Sequence, residues 1–130
     1  MNEILIPISP GELLDKITIL QIKSERIADA AKVANVNTEL GMLEQVWSEA
    51  VRDDEQIRAL KHELKSINEA LWEIEDDIRD EERNRRFGER FIELARAVYV
   101  TNDERANAKK KVNLHLNSSI VEEKSYQDYK

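Results

Sequence analysis

The chain has 130 residues and a formal charge of −7, with no cysteine and two histidines. This length corresponds to one domain with a hydrophobic core of its own, and the lack of cysteine excludes disulfides and thiolate metal sites. No signal peptide is recognisable, and no apolar run approaches the roughly 20 residues that cross a bilayer. We therefore expect a cytoplasmic protein with no membrane partner.

The negative charge is concentrated in one part of the chain. Residues 53–82 hold twelve acidic and four basic residues, whereas the remainder holds 15 and 16. A protein that binds nucleic acid presents a basic face to the phosphates, so we expect no nucleic-acid partner. Glycine and proline are scarce and aromatic residues make up 5% of the chain, a composition typical of helical proteins.

The first predicted helix begins with a clear start signal. Segment 1–9 is short and partly apolar, and it predicts an extended arm lying on the body of the protein. Ser9 then stands at the N-cap, Pro10 at the first helical position, and Glu12 where its side chain reaches back to the cap. The apolar spacing that follows predicts a helix from Pro10 to about Ala34.

This helix is apolar on two sides. One stripe consists of Leu13, Ile17, Leu20, Ile27 and Ala31. Ile19 and Ile22 lie on the opposite side. Such a helix is either central in its own chain or shared with a second subunit. We expect a homodimer with Ile19 and Ile22 in or near the interface.

The third helix gives the strongest periodic signal. A turn is predicted at residues 34–38, and a break is predicted around residues 52–54, although a continuous second and third helix remains open. The apolar seam that follows consists of Ile57, Leu60, Leu64, Ile67, Leu71, Ile74 and Ile78. Alternating steps of three and four residues indicate an antiparallel bundle or coiled coil.

The rest of the chain completes an all-α prediction. Phe87 and Gly88 predict a turn, and the fourth helix either runs on to Leu116 or restarts at the capping residue Thr101. Residues 117–130 are predicted to form a tail. We therefore expect a single domain over residues 1–130, an antiparallel helical bundle of four to five helices with an N-terminal arm and a C-terminal tail.

A polar stripe flanks the apolar seam and is the candidate ligand site. On the third helix it consists of Asn68, Trp72, Glu75 and Arg79. On a straight fourth helix, Asn102, Arg105 and Lys109 continue the core-facing stripe. Polar residues at the edge of a core either line a pocket or form a salt-bridge network that fixes register. Facing stripes would form a cradle for an anion or a phosphorylated metabolite.

A second, weaker candidate is an acidic stripe on the third helix. Glu69, Glu73, Asp76 and Asp80 share one face, and carboxylates one turn apart can hold Mg²⁺ around a diphosphate. This face lies opposite the apolar seam, where solvated charges are usual. We expect no metal and no cofactor, with Mg²⁺ considered only if this stripe is functional.

Four motifs in order carry a family resemblance. They cover residues 7–20 with SPGEL-x-DKITIL, residues 68–79 with NE-x-LW-x-IED-x-IR, residues 91–103, and residues 122–126 with EEKSY. Together they resemble a family of uncharacterised bacterial and phage proteins of about this length, a domain of unknown function. The resemblance implies no reaction or ligand. The acidic helix is also similar, less closely, to that of all-helical nucleotide pyrophosphohydrolases, although glutamates are replaced in Asp76-Asp77-x-x-Asp80 and a second acidic motif is missing.

Two functional hypotheses follow. The first is a non-enzymatic helical binding or assembly module, which predicts no pocket and a Glu75–Arg79 pair that tolerates mutation. The second is a small-molecule-binding protein or a small metal-dependent enzyme, such as a hydrolase similar to the pyrophosphohydrolases. It predicts a cleft that holds Glu75, Arg79, Asn102 and Arg105 together.

Overall fold

The computed structural model describes residues 2–130 and contains four α-helices, with no strand in that range. Helix α1 spans Pro10–Arg26, α2 spans Ala30–Ala50, α3 spans Glu55–Arg83 and α4 spans Glu89–His115. The all-α helical bundle predicted from the sequence is confirmed. Across the described residues, none of the helices has the length and apolarity needed to cross a membrane.

Helix α1 begins where the sequence predicts and ends earlier. The hydroxyl of Ser9 accepts a hydrogen bond from the Glu12 amide at 3.2 Å, and Pro10 occupies the first turn. The helix ends at Arg26 rather than near Ala34, because the backbone becomes extended at Ile27. An apolar residue at that position gave no sequence signal for a stop.

The predicted turn at residues 34–38 is wrong, because these residues lie inside α2. The N-cap of α2 is Asp29, whose carboxylate accepts a hydrogen bond from the Lys32 amide at 3.0 Å. The expected break before α3 does occur at residues 51–54. There Asp54 caps α3 by accepting a hydrogen bond from the Ile57 amide at 2.7 Å.

Helices α3 and α4 form a long antiparallel hairpin, and α4 does not restart at Thr101. The two helices are joined where α3 begins and α4 ends. There His115 Nε2 lies 2.9 Å from Asp54 Oδ2, and Lys111 Nζ lies 3.2 Å from Glu63 Oε1. Only the first part of the predicted α3 seam is buried. The distal part, from Leu71 onward, is half-buried because the hairpin extends past the end of α1.

The core is built by α1, α3 and α4, with α1 at the centre of the fold. The buried cluster consists of Leu14, Ile57, Leu60, Leu64, Ile67, Ala108 and Val112, with Trp47, Leu71 and Leu116 packed against it. Helix α1 contacts all three other helices, whereas the backbone of α2 comes close to that of α1 alone. The two-sided apolarity of α1 therefore reflects its central position.

The predicted arm and tail are both non-helical. Met1 of the predicted arm 1–9 lies outside the described residues. The arm does not pack on the body as predicted, because Ile4, Leu5 and Ile6 are all exposed. The tail does pack, running back along α4, where Lys124 Nζ lies 2.6 Å from Asp103 Oδ1.

Candidate functional site

A buried polar network joins α1, α3 and α4. The Asp15 side chain is 1% exposed and accepts two hydrogen bonds from Arg105, from Nε to Oδ1 at 2.9 Å and from Nη2 to Oδ2 at 2.5 Å. The buried Asn68 amide donates to Asp15 Oδ1 at 2.9 Å and to Thr18 Oγ1 at 3.0 Å. The Thr18 hydroxyl in turn donates to the Asp15 carbonyl oxygen at 2.8 Å. The network is thus fully hydrogen-bonded at the centre of the fold.

Close packing of α1 on α4 makes this network possible. The Gly11 amide donates to Asn113 Oδ1 at 2.7 Å, and a Cβ at Gly11 would overlap the Lys109 carbonyl oxygen. Glycine therefore lets the two backbones approach at this point. One turn further along α1, this approach brings Asp15 within reach of Arg105.

A second ion-pair cluster lies beside the first, toward the start of α1. Lys109 Nζ lies 2.5 Å from Glu12 Oε2 and 3.5 Å from Glu122 Oε2 in the tail, and Glu122 accepts a hydrogen bond from the Ser9 hydroxyl at 3.2 Å. Burial raises the pKa of Glu12, but the hydrogen bond and charge of Lys109 outweigh it, so the pKa of Glu12 is lowered overall. The cluster ties the tail to both helices.

A cavity of about 540 Å³ opens next to Asp15 and Arg105, where α1, α3 and α4 meet. Its lining consists of Ile19, Ile22, Asn68, Leu71, Trp72, Glu75, Asp76, Arg79, Asn102 and Arg105. One part is therefore apolar and aromatic, and the other carries amides, two carboxylates and two guanidinium groups. The volume falls within the range of small-molecule sites.

Six of the seven predicted ligand-site residues line this cavity. They are Asn68, Trp72, Glu75, Arg79, Asn102 and Arg105. Lys109 does not, because its ammonium group turns toward α1 and pairs with Glu12. The polar stripe of the fourth helix therefore faces α1 as well as the cavity. The sequence suggested either a pocket or a salt-bridge network, and the structure contains both.

Charges around the cavity are already partly paired. Glu75 and Arg79 form an ion pair one turn apart on α3, in which Arg79 is largely exposed and Glu75 is half-buried. Arg105 is held by Asp15, and the hydrogen bond to Asp15, opposed by burial, raises the pKa of Arg105. The guanidinium of Arg105 is therefore a permanently charged group with a fixed position.

The acidic stripe of α3 is largely paired with arginines. Arg26 Nη2 lies 3.7 Å from Glu69 Oε2 and its Nη1 lies 3.5 Å from Glu73 Oε1. Asp80 pairs with Arg83 in the last turn of α3 and with Arg86 beyond it, and Asp76 lies at the cavity. Within residues 2–130, no group of three or more His, Asp or Glu side chains is placed to hold a metal ion.

The two residues expected at a dimer interface have other surroundings. Ile22 is buried within its own chain, and Ile19, which is half-buried, lines the cavity beside it. Neither side chain needs a second subunit to cover it. The homodimer stays a prediction, but α1 no longer supports it.

Sequence reasoning missed Asp15 and Thr18, the α1 members of the buried network. The signal that would have found them is their register, since Asp15, Thr18 and Ile22 are spaced i, i+3, i+7 on the second apolar side of α1. A carboxylate and a hydroxyl on a face that a central helix must bury require partners. The partners of Asp15, which are Asn68 and Arg105, lie 53 and 90 residues away along the chain.

A family model matches residues 4–129 of the chain, described as a family of unknown function, DUF6165. The chain belongs to DUF6165. This confirms the resemblance to a domain of unknown function that the four motifs carry. Searches of curated proteins and of solved structures found no match to this DUF6165 chain. Its function is therefore inferred from its own geometry.

Proposed function

We propose that this DUF6165 protein binds a small organic molecule in the cavity between α1, α3 and α4. The observation that carries the proposal is the guanidinium of Arg105, held at the cavity by the buried Asp15 carboxylate. A buried ion pair is costly to desolvate and is weak evidence for a purely stabilising role. A guanidinium held in place beside a cavity is suited to the recognition of an acidic group.

Arg105 retains donors for a ligand. A guanidinium has five N–H groups, and the two bonds to Asp15 use Nε and one N–H of Nη2. The other N–H groups remain for a second partner, and the side chain is 30% exposed. Asn102 on the preceding turn of α4 adds an amide that both donates and accepts.

The apolar side of the cavity suits a hydrocarbon or ring system. Ile19, Ile22 and Leu71 supply the aliphatic surface, and Trp72 supplies a planar aromatic one. Aromatic side chains stack on or pack edgewise against ligand rings. An acid group at Arg105 and a ring at Trp72 would occupy the polar and apolar parts of one cavity.

The charge of the lining narrows the ligand class further. Glu75 and Asp76 line the cavity with Arg79 and Arg105, and Asp15 behind Arg105 adds a third carboxylate. The cavity therefore offers directed hydrogen bonds rather than a net positive field. We therefore propose a ligand with a single acidic group and a ring, in preference to a polyphosphate. Because Glu69 and Glu73 pair with Arg26, the geometry gives less support to a metal-dependent hydrolase.

A thermal-shift screen of the purified chain tests this proposal. The panel holds aromatic and alicyclic carboxylic acids, sugar phosphates and nucleotides, each with and without Mg²⁺. A ligand at 100 times its Kd stabilises the folded state by about 2.7 kcal/mol. We expect shifts from ring-bearing monoacids, independent of Mg²⁺.

Matched variants show where the ligand binds. Trp72→Phe and Arg105→Lys should each reduce the shift, whereas Trp47→Phe should retain it because Trp47 packs against the core away from the cavity. If only nucleotides with Mg²⁺ raise the melting temperature, the result would favour the hydrolase alternative. Equal loss in the Trp47 and Trp72 variants, or no shift from any acid, would contradict the proposal.

A further inference from the structure

The charges at the cavity are unequal once Asp15 is included. The charged lining residues are Glu75, Asp76, Arg79 and Arg105. Asp15 lies behind Arg105 and is hydrogen-bonded to it. Three carboxylates therefore stand against two guanidinium groups, which gives a net charge of −1. A ligand that carries only an acidic group leaves this excess uncompensated, whereas a ligand that also carries a basic group neutralises it.

The carboxylate without a counterion is that of Asp76. Glu75 is paired with Arg79 on the same helix, and Asp15 is paired with Arg105. Asp76 forms no ion pair and no side-chain hydrogen bond among residues 2–130. It lines the cavity and is exposed to solvent. A carboxylate in this position can bind a cation without first losing its contact with water.

The acid-binding and cation-binding groups lie about two helical turns apart along α3. Arg105 Nε and Asn68 Nδ2 donate to the same oxygen, Asp15 Oδ1, so Arg105 lies level with Asn68. Asp76 follows Asn68 by eight residues, which places it about 12 Å further along the helix axis. Trp72 stands midway between them and lines the same cavity. The order along the cavity is therefore guanidinium, aromatic ring and carboxylate.

We infer that the cavity binds a zwitterion in which a ring separates a carboxylate from a basic group. The inference rests on the proposed function and adds the basic group to the ring-bearing acid. The carboxylate binds Arg105, the ring packs on Trp72, and an ammonium or guanidinium group binds Asp76. Two hydrogen bonds of about 2.8 Å each leave about 6 Å of the 12 Å for the ligand, between its charged ends. A six-membered ring with para substituents meets this span, whereas the two charges of an α-amino group and its carboxylate share one carbon.

Three ring compounds of matched shape test the inference by titration calorimetry near neutral pH. 4-(Aminomethyl)benzoic acid carries both charges. In 4-ethylbenzoic acid a methyl group replaces the ammonium, and in 4-isopropylbenzylamine an isopropyl group replaces the carboxylate. We expect 4-(aminomethyl)benzoic acid to bind about three- to fivefold more tightly than 4-ethylbenzoic acid, the range of an exposed ion pair. The amine without a carboxylate should bind least.

Substitution of Asp76 tests which carboxylate binds the basic group. Asp76→Asn should abolish the preference for the ammonium and leave the Kd of 4-ethylbenzoic acid unchanged. Asp77→Asn is the matched control, because Asp77 pairs with Arg90 and does not line the cavity. This control should keep the preference. Circular dichroism of both variants checks that α3 remains helical.

The outcomes separate this inference from the proposed function. If 4-ethylbenzoic acid binds as tightly as 4-(aminomethyl)benzoic acid, or if the preference survives Asp76→Asn, the inference is wrong and the proposed function stands. If no ring-bearing acid binds, both fail. Phenylglycine, whose two charges share one carbon, should bind no more tightly than phenylacetic acid. An equal gain for phenylglycine would contradict the separation between the acid-binding and cation-binding groups.

Discussion

Asp15 on the first helix and Arg105 on the last are joined by a two-point hydrogen-bonded ion pair in the interior of the bundle. Asp15 is buried, whereas the Arg105 side chain is 30% exposed and lines the cavity. The pair therefore connects the packing of α1 on α4 with the proposed ligand site. Its two members should respond differently to mutation.

Removing Arg105 should cost more stability than removing Asp15. Breaking a buried ion pair costs about 3–5 kcal/mol, because the remaining charge is left without a partner. Asp15→Asn should lower the free energy of unfolding by an amount near the lower end of this range, because Arg105 can reach solvent. Arg105→Met should lower it by an amount near the upper end. Urea unfolding measures both. The double variant should lose less than the sum of the single losses, and strict additivity would contradict a coupled pair.

Gly11→Ala should destabilise the chain by about 2 kcal/mol. The added methyl group would overlap the Lys109 carbonyl oxygen and lie 2.9 Å from Asn113 Oδ1, which forces α1 away from α4. Gly41→Ala is the matched control, because its methyl group meets nothing within 4 Å. This control should stabilise α2, because alanine favours a helix more than glycine does. Equal effects of the two substitutions in urea unfolding would disprove the close approach.

A helix start was predictable from the sequence where a capping residue is followed by apolar residues at helical spacing. This holds at Ser9, whose cap was recognised, and for α3, whose seam is visible without the structure. The start of α2 was missed because Asp29 caps it without a glycine or proline nearby, whereas residues 35–38 hold several residues that can cap a helix but do not do so here. At Thr101 a capping box is overridden, because packing along α3 keeps α4 continuous.

The part of the candidate site that lies on one helix was predictable from the sequence. The stripe containing Trp72 and Arg79 is a property of one helix, so helical rotation alone places it at the edge of the core. The partner of Arg105 is a property of the tertiary fold, since Asp15 is one of 27 acidic residues in the chain. Lys109 was misplaced for the same reason, because its partner Glu12 lies on α1.

The Glu12–Lys109 pair should make stability depend on acid pH. The pKa of Glu12 is lowered from 4.5, so the unfolded state binds its proton at higher pH than the folded state does. The contribution of this pair is therefore present above about pH 4.5 and is lost as the pH falls through the folded-state pKa. Unfolding free energies measured from pH 6 downward should fall more steeply for the wild type than for Glu12→Gln. Glu39→Gln, an exposed change of the same kind on α2, should follow the wild type, and parallel curves for Glu12→Gln and wild type would contradict the assignment.

The tail should be released when Asp103 is changed. The hydrogen bond from Lys124, followed by that from Tyr129, lowers the pKa of Asp103, and the Asp103 bond raises the pKa of Tyr129. Asp103→Asn should therefore speed tryptic cleavage after Lys124, and acid pH that protonates Asp103 should loosen the wild-type tail. Glu104→Gln, the exposed neighbour on α4, is the control. Equal cleavage of the two variants would show that Asp103 does not hold the tail.

The two tryptophans provide the most direct test of the ligand site. Trp72 lines the cavity and Trp47 packs against the core, so each indole N–H reports a different place in a ¹⁵N–¹H correlation spectrum. Titration with ring-bearing carboxylic acids should shift the Trp72 signal in a saturable manner and leave the Trp47 signal in place. If both signals stay fixed, or if only the Trp47 signal moves, the cavity is not the binding site and the proposed function is wrong.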